Sequence, residues 1–231
     1  MLSLITGVGA KGQVGEAVAQ ALAKRGDTAL LVSRDIKEVT ARADDIVKSG
    51  GKAHPYACDL SDAAAVSALA TRVRSEHGDK LDNLVNLAGG WASSGPLAQS
   101  DPAVHERMMQ INFDTALYAT RAFLPAVRAA KGAIVFFASE VVFEGVKTGG
   151  VAGYSAAKAA VVALMRSVSD EGREAGVRAN AVAPASIRTA TNQASMGDKA
   201  KFIEREDVAD VVAFLCSDAA RVVTGQVIRL R

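Results

Sequence analysis

Tyr154-Ser155-Ala156-Ala157-Lys158 sets a phenol and a primary amine four residues apart. If the segment opens a helix, both side chains share one face. A lysine kept cationic at that spacing favours the phenolate and lowers the tyrosine pKa from about 10 toward working pH. A tyrosine tuned in this way can give a proton to a carbonyl oxygen or take one from an alcohol. Ser139 ends an apolar run, where its hydroxyl can polarise a substrate oxygen. Asn112 lies within a long helical stretch, where asparagine is a mediocre helix former and marks a polar task. Asn86-Leu87-Ala88-Gly89 ends another apolar run, and its small residues can admit a flat ring.

A second feature lies near the N-terminus. Thr6-Gly7-Val8-Gly9-Ala10-Lys11-Gly12-Gln13-Val14-Gly15 follows an apolar strand and opens a helix. Glycines permit a tight turn and close approach of a pyrophosphate, and the helix N-terminus offers free N–H groups and a positive dipole end. Gly7, Gly12 and Gly15, with Val14 at the helix start, are the candidate phosphate contacts. A nucleoside triphosphate loop would want Gly-Lys followed by Ser or Thr, whereas Lys11 precedes Gly12 and no hydroxyl follows. Ser33-Arg34 ends the second strand, with Asp35 close by. A ribose 2′-hydroxyl commonly meets an acid at such a strand end, and a 2′-phosphate meets an arginine. Arg34, joined by Lys11 from the glycine loop, therefore favours NADP(H), with NAD(H) possible.

These groups need a scaffold that carries each to one edge. Strands are predicted over 2–6, 28–32, 52–57, 84–87, 133–138, 178–182 and 226–229. Helices are predicted over 15–25, 36–49, 62–77, 154–174 and 206–217, with Ser61 or Asp62 capping the third. Residues 101–129 read as a helical stretch interrupted near Pro125. The β-α-β-α alternation and continuous apolar strands such as Ala133–Ala138 predict an α/β fold, a doubly wound parallel sheet of about seven strands with helices on both faces. No linker or composition shift divides the chain, so residues 1–231 read as a single domain, with 190–204 as an open or mobile substrate lid. Ligands in such a sheet bind beyond the C-terminal strand ends, where every feature above falls.

Composition sets outer limits. The 231 residues are 49% hydrophobic and 23% charged, with a formal net charge of +2, which excludes a disordered chain. The balance gives no electrostatic footprint for nucleic acid or an anionic membrane. The longest uncharged run, 83–100, contains Asn, Ser, Gly and Pro and cannot span a bilayer. Met1–Gly7 has no basic n-region of a signal peptide. Two cysteines make no disulfide framework, so a cytoplasmic setting is the default. His54, His77 and His105 are scattered without ligand spacing, and no metal is expected.

Taken in order, Thr6-Gly7, Asp59-Leu60, Asn86-x-Ala88-Gly89, Asn112, Ser139, Tyr154-x3-Lys158, Pro184 with Ile187 and Thr189, and Thr224-Gly225-Gln226 resemble the short-chain dehydrogenase/reductases from Leu2 to about Arg229. The resemblance implies hydride transfer between a nicotinamide and a carbonyl or alcohol carbon, on a small molecule of 3-oxoacyl type or another small ketone or alcohol. It implies Tyr154 as general acid/base, Lys158 tuning Tyr154 and bonding the nicotinamide ribose, Ser139 holding the substrate oxygen, and Asn112 keeping a water in a relay to Lys158. Asp59 and Leu60 would hold the adenine. Asn86, Ala88, Gly89 and Pro184 would line the cofactor, and Ile187 and Thr189 would meet its carboxamide and phosphates. Arg34 and Lys11 match positions that select a 2′-phosphate. The resemblance further implies a homodimer or homotetramer through the helices around Asn112 and Tyr154.

The chain also departs from the family pattern. The glycine loop is two residues longer than the usual motif, and Ala185 stands where a glycine often follows the proline. The Ala88-Gly89-Gly90-Trp91 run resembles a pterin-reducing branch of the family, in which Trp91 would stack on a pterin, although that branch lacks a serine like Ser139. A third reading is an NADP-binding sensor or scaffold without catalysis, suggested by the altered loop and the short lid.

Overall fold

Short apolar runs and amphipathic segments alternate along the chain, and they fold as alternating strands and helices in a computed structural model that describes residues 1–231. In chain order these are β1 (Leu2–Thr6), α1 (Val14–Lys24), β2 (Thr28–Ser33), α2 (Ile36–Lys48), β3 (Lys52–Ala57), α3 (Ala63–His77), β4 (Asn83–Asn86), α4 (Pro102–Met109), α5 (Thr115–Ala130), β5 (Ala133–Phe137), α6 (Ala152–Gly172) and β6 (Arg178–Pro184). Two-residue strands β7 (Ile187–Arg188) and β8 (Ile203–Glu204) flank the short helix α7 (Ala190–Met196), and α8 (Arg205–Leu215) and β9 (Val227–Leu230) follow. Seven strands form one parallel sheet in the order β3-β2-β1-β4-β5-β6-β9. No helix is long and apolar enough to cross a membrane.

Side chains alternate across each strand, so the sheet builds two cores. Leu4, Leu30, Leu84, Ile134 and Phe136 bury one face under α3, α5 and α6. Ile5, Leu31, Val85, Val135 and Val182 bury the other under α1, α2 and α8. Burial on both faces explains the continuous apolar strands. The edge strand β3 departs from that rule. It leaves Lys52, His54 and Ala57 exposed, buries only Tyr56, and tolerates Pro55. Its edge is closed by a polar cluster in which the Tyr56 hydroxyl donates to Glu76 at 2.6 Å and bonds His77 at 2.8 Å. His54 and His77, distant in sequence, meet there with ring centroids 4.9 Å apart.

Aspartate caps start α2, α3 and α4. The carboxylate of Asp62 accepts from the N–H groups of Ala64 and Ala65 at 2.8 and 3.2 Å, while Ser61 bonds back to Asp59 instead. Asp62→Ala is expected to cost about 1 kcal/mol of unfolding free energy, read as a lower urea midpoint at unchanged m-value.

The interruption expected near Pro125 lies elsewhere. Pro125 stands inside α5 on its exposed face, where water can solvate the carbonyl that its missing N–H leaves free. The irregularity is a π turn at Gln110–Asp114, which joins α4 to α5 and carries Asn112. Such single π turns recur at functional sites.

Candidate active site

The strand order reverses direction between β1 and β4, and there the two loops meet. Thr6, the last residue of β1, clamps them. Its hydroxyl accepts from the N–H groups of Leu87 and Ala88 at 3.0 and 3.1 Å and donates to the Val85 carbonyl at 3.2 Å. Gly7, at φ +77°, lies so close that a Cβ would come within 2.8 Å of the Ala88 Cα. Gly15 is packed just as tightly, because its Cβ would fall 2.5 Å from the Gly7 carbonyl oxygen. These glycines are needed so that α1 can start directly over the strand end.

A groove of about 300 Å³ runs from this crossing over the ends of β2 and β3. Gly7, Ser33, Arg34, Asp59, Leu60, Ala88 and Gly89, all expected from the sequence, line it. Arg34 helps hold the Asp59 carboxyl below its ordinary range, after the larger effect of the Ser61 hydrogen bonds.

The lengthened loop distributes its work differently from expectation. Gly9, Ala10 and Gln13 line the groove, whereas Lys11, Gly12, Val14 and Gly15 do not. Lys11 is exposed and reaches neither the groove nor the second cavity described below. The Gly12 N–H donates to Glu16 at 2.8 Å, and the Gly12 carbonyl accepts from the Ala190 N–H at 3.0 Å, so the extra residues tie the loop to α7. Buried Glu16 also takes Arg205 at 2.8 Å. The segment read as an open lid is thereby tethered to the glycine loop, with a further bond from Gln13 to Thr191 at 3.0 Å.

The groove also contains groups that sequence reasoning missed. A Cβ on Gly9 would sit 3.0 Å from Glu38 Oε2 and 3.2 Å from Ser33 Oγ, so a carboxylate and a hydroxyl converge on one corner beside Arg34. Glu38 stands in the first turn of α2, three residues past its Asp35 cap, so the cap that starts the helix also sets Glu38 near the end of β2. Arg107 on α4 lines the groove as well. It comes from an element distant in sequence, and no local pattern announces it.

Beyond Gly89 the groove meets Asn112 and Lys158. Asn112 is buried and its amide is engaged. Nδ2 donates to the carbonyls of Gly90 and Met108, each at 3.0 Å, and Oδ1 accepts from the Gly90 N–H at 3.2 Å. Asn112 thus pins the Gly89-Gly90 loop. Gly89 fits because a Cβ there would reach 2.6 Å from Asn112 Oδ1 and 3.5 Å from Lys158 Nζ. Asn86 is buried, donates to Thr120 at 2.8 Å, and leaves Oδ1 without a protein partner. Thr189 caps α7 by accepting from the Asn192 N–H at 3.1 Å.

A second cavity, of about 620 Å³, holds Ser139 from the end of β5 and Tyr154 from the first turn of α6. Trp91, Pro184 and Ile187 line it too, as do Glu140 and, from α7, Met196. Lys158 lies between cavity and groove, 5.8 Å from the Tyr154 ring centre, and donates to the Phe137 carbonyl at 2.8 Å.

The electrostatics differ from the expected tuning. Burial raises the Tyr154 pKa, with the facing Ser139 hydroxyl opposing it in part. Burial also pulls Lys158 from 10.5 down to about 8. Among protein groups alone, burial sets the direction of both shifts, and Nζ donates to a backbone carbonyl. The shift makes a stability prediction. An amine whose folded pKa lies below its unfolded value leaves the unfolded state holding more protons, so stability rises with pH between the two values. Wild type should gain about 1 kcal/mol over Lys158→Met between pH 8 and pH 9. The difference between the two denaturation curves is the readout, because buried Cys58 and Cys216, raised to about 11 and about 12, act with opposite sign in both proteins. Parallel curves would place the amine in contact with water.

Comparison with known proteins bears on this geometry. The short chain dehydrogenase family model matches residues 3–200. The cis-4-hydroxycyclohexanecarboxylate dehydrogenase of Sinomonas cyclohexanicum is 34% identical, over 95% of this chain and 91% of that protein. The 2-(S)-hydroxypropyl-CoM dehydrogenase 3 of Xanthobacter autotrophicus is 33% identical, over 96% and 91%. Among solved structures, one described as an NAD(P)-dependent gluconate 5-dehydrogenase from Beutenbergia cavernae, with NADP bound at low occupancy, superposes with a TM-score of 0.88 at 31% identity, over 99% of this chain and 94% of that one.

Proposed function

The chain belongs to the short-chain dehydrogenases, oxidoreductases that act on alcohol and carbonyl groups with NAD(P)(H), and from that premise we propose that it prefers NADP(H) and uses Tyr154 as general acid/base on a small carbonyl or alcohol substrate. The carrying observation is that Ser139 and Tyr154 line one cavity, with Lys158 between it and the dinucleotide groove.

The protein groups fit a nicotinamide dinucleotide. Gly9 leaves a corner open between Ser33 and Glu38, Asn86 keeps a buried acceptor free, and α1 opens at Gln13 without a side-chain cap on its N–H groups. Arg34 would pair with a 2′-phosphate, and Asp59 and Leu60 would hold the adenine. When bound, the nicotinamide gives or accepts the hydride.

The chain's own residues handle the oxygen and its proton. In the reducing direction Tyr154 donates its phenolic proton to the carbonyl oxygen, and the Ser139 hydroxyl hydrogen-bonds the same oxygen and fixes its position. The raised Tyr154 pKa keeps the phenol protonated at neutral pH and suits it to act as the acid. Lys158 stands ready to supply positive charge as the phenolate forms. Asn112 acts by holding the Gly89-Gly90 loop in place.

A panel of ketones, aldehydes and alcohols, followed through NADPH absorbance, tests the reading. NADPH-dependent reduction or NADP⁺-dependent oxidation by at least one class is expected. Tight NADPH binding with no turnover anywhere would favour a nucleotide-binding sensor. Self-association as a dimer or tetramer through the α4–α6 region belongs to the same proposal, and light scattering decides between the two.

A further inference from the structure

The cavity shared by Ser139 and Tyr154 has an uneven charge. No lysine, arginine or histidine lines it, and its one carboxylate is Glu140. Glu140 directly follows Ser139 and opens a short 3₁₀ turn at Glu140–Val142, so the strand end that fixes the serine fixes this residue too. Arg229 of β9 holds the carboxylate from outside the cavity, Nη2 to Oε2 at 3.3 Å, with its guanidinium stacked over Phe143 at 5.0 Å. Arg229 itself does not line the cavity, so Glu140 is the only member of the pair that belongs to its wall. Trp91, 65% exposed, forms part of the wall and offers an indole face, whose quadrupole also attracts positive charge. Val141, Ile187 and Met196 supply apolar surface. An anionic substrate entering this space would lose water, meet like charge and find no cation within the wall.

We propose that this cavity selects alcohols and ketones whose carbon skeleton bears a cationic amine, accepts neutral ones, and rejects those bearing a carboxylate, with Glu140 as the discriminating residue. The inference rests on the oxidoreductase reading of the same cavity. Arg229 is a positioning residue that keeps Glu140 turned to the wall.

Three matched probes test it: cyclohexylammonium, cyclohexanol and cyclohexanecarboxylate. Each is titrated into the NADP⁺-saturated protein while the emission of Trp91, the single tryptophan, is followed. The ammonium is expected to bind about tenfold more tightly than the carboxylate, the scale of one partly solvated charge pair. Glu140→Gln should collapse that ratio toward one, and Glu140→Asp, which keeps the charge, should retain most of it. A carboxylate that binds as well as the ammonium, a ratio unmoved by Glu140→Gln, or no emission change with any probe would overturn the proposal. Oxidation of cyclohexanol and of 4-aminocyclohexanol by NADP⁺ is measured separately. If the binding order holds and neither these alcohols nor any member of the ketone, aldehyde and alcohol panel is turned over, the oxidoreductase reading fails and the charge selection stands. If both are oxidised without a charge order, the reverse is true.

Discussion

Tyr154→Phe is expected to lower kcat by about 10²- to 10⁴-fold, the range a positioned general acid contributes. Affinity for NADPH should change by less than about twofold, because the variant removes one hydroxyl and keeps the ring. The size of the effect follows from what else can deliver a proton. Lys158 is buried, and its Nζ donates to the Phe137 carbonyl, 5.8 Å from the tyrosine ring centre. Ser139 can orient a substrate oxygen, but its hydroxyl is too weak an acid to replace a phenol. Glu140 is the remaining candidate in the cavity, and its carboxylate is held by Arg229. Steady-state kinetics beside a cofactor titration separate the outcomes. A variant that binds NADPH normally and turns over slowly supports the assignment. One that keeps full activity would move the proton transfer to another group.

The sequence was most informative where local rules decide structure. The sheet and its helices were legible because strand alternation, capping aspartates and glycine punctuation act within a few residues. The groove residues Ser33, Arg34, Asp59, Leu60, Ala88 and Gly89 were legible because a parallel sheet brings its C-terminal strand ends to one edge. What escaped depended on contacts between distant segments. Gly12 looks like a phosphate contact in isolation, but Glu16 and Ala190 take up its backbone groups. Arg107 and Met196 reach their cavities from α4 and α7, whose docking no window of sequence encodes. The expected acidification of Tyr154 failed for a related reason. Spacing puts Lys158 on the right face of α6, but depth of burial, which no local pattern encodes, lowers its pKa.

Cofactor choice should respond in opposite directions to two neighbouring substitutions. Arg34→Ala is expected to weaken NADPH by about 10- to 100-fold, the worth of a charge-assisted hydrogen bond to a phosphate, while NADH changes by only about two- to threefold. Glu38→Gln should tighten NADPH by several-fold and weaken NADH. The reason lies in the corner over Gly9, where Glu38 Oε2 and Ser33 Oγ converge beside Arg34. A carboxylate there can accept from a ribose 2′-hydroxyl but repels a 2′-phosphate, so the chain carries an acid and a base that favour different cofactors. Arg34 should prevail, because a guanidinium can bind phosphate in two places and Glu38 can turn away on its flexible stem. Removing both charges should bring the two cofactors close to parity. The double variant need not equal the sum of the singles, since both side chains act on one phosphate. Lys11→Ala supplies the control. The family resemblance assigns Lys11 to the same phosphate, but its exposed position outside the groove predicts little change with either cofactor. Fluorescence titrations of NADPH and NADH at two salt concentrations read all of this, since a phosphate contact weakens as salt rises. Equal losses for both cofactors in Arg34→Ala would remove Arg34 from cofactor selection and leave Glu38 as the residue that sets it.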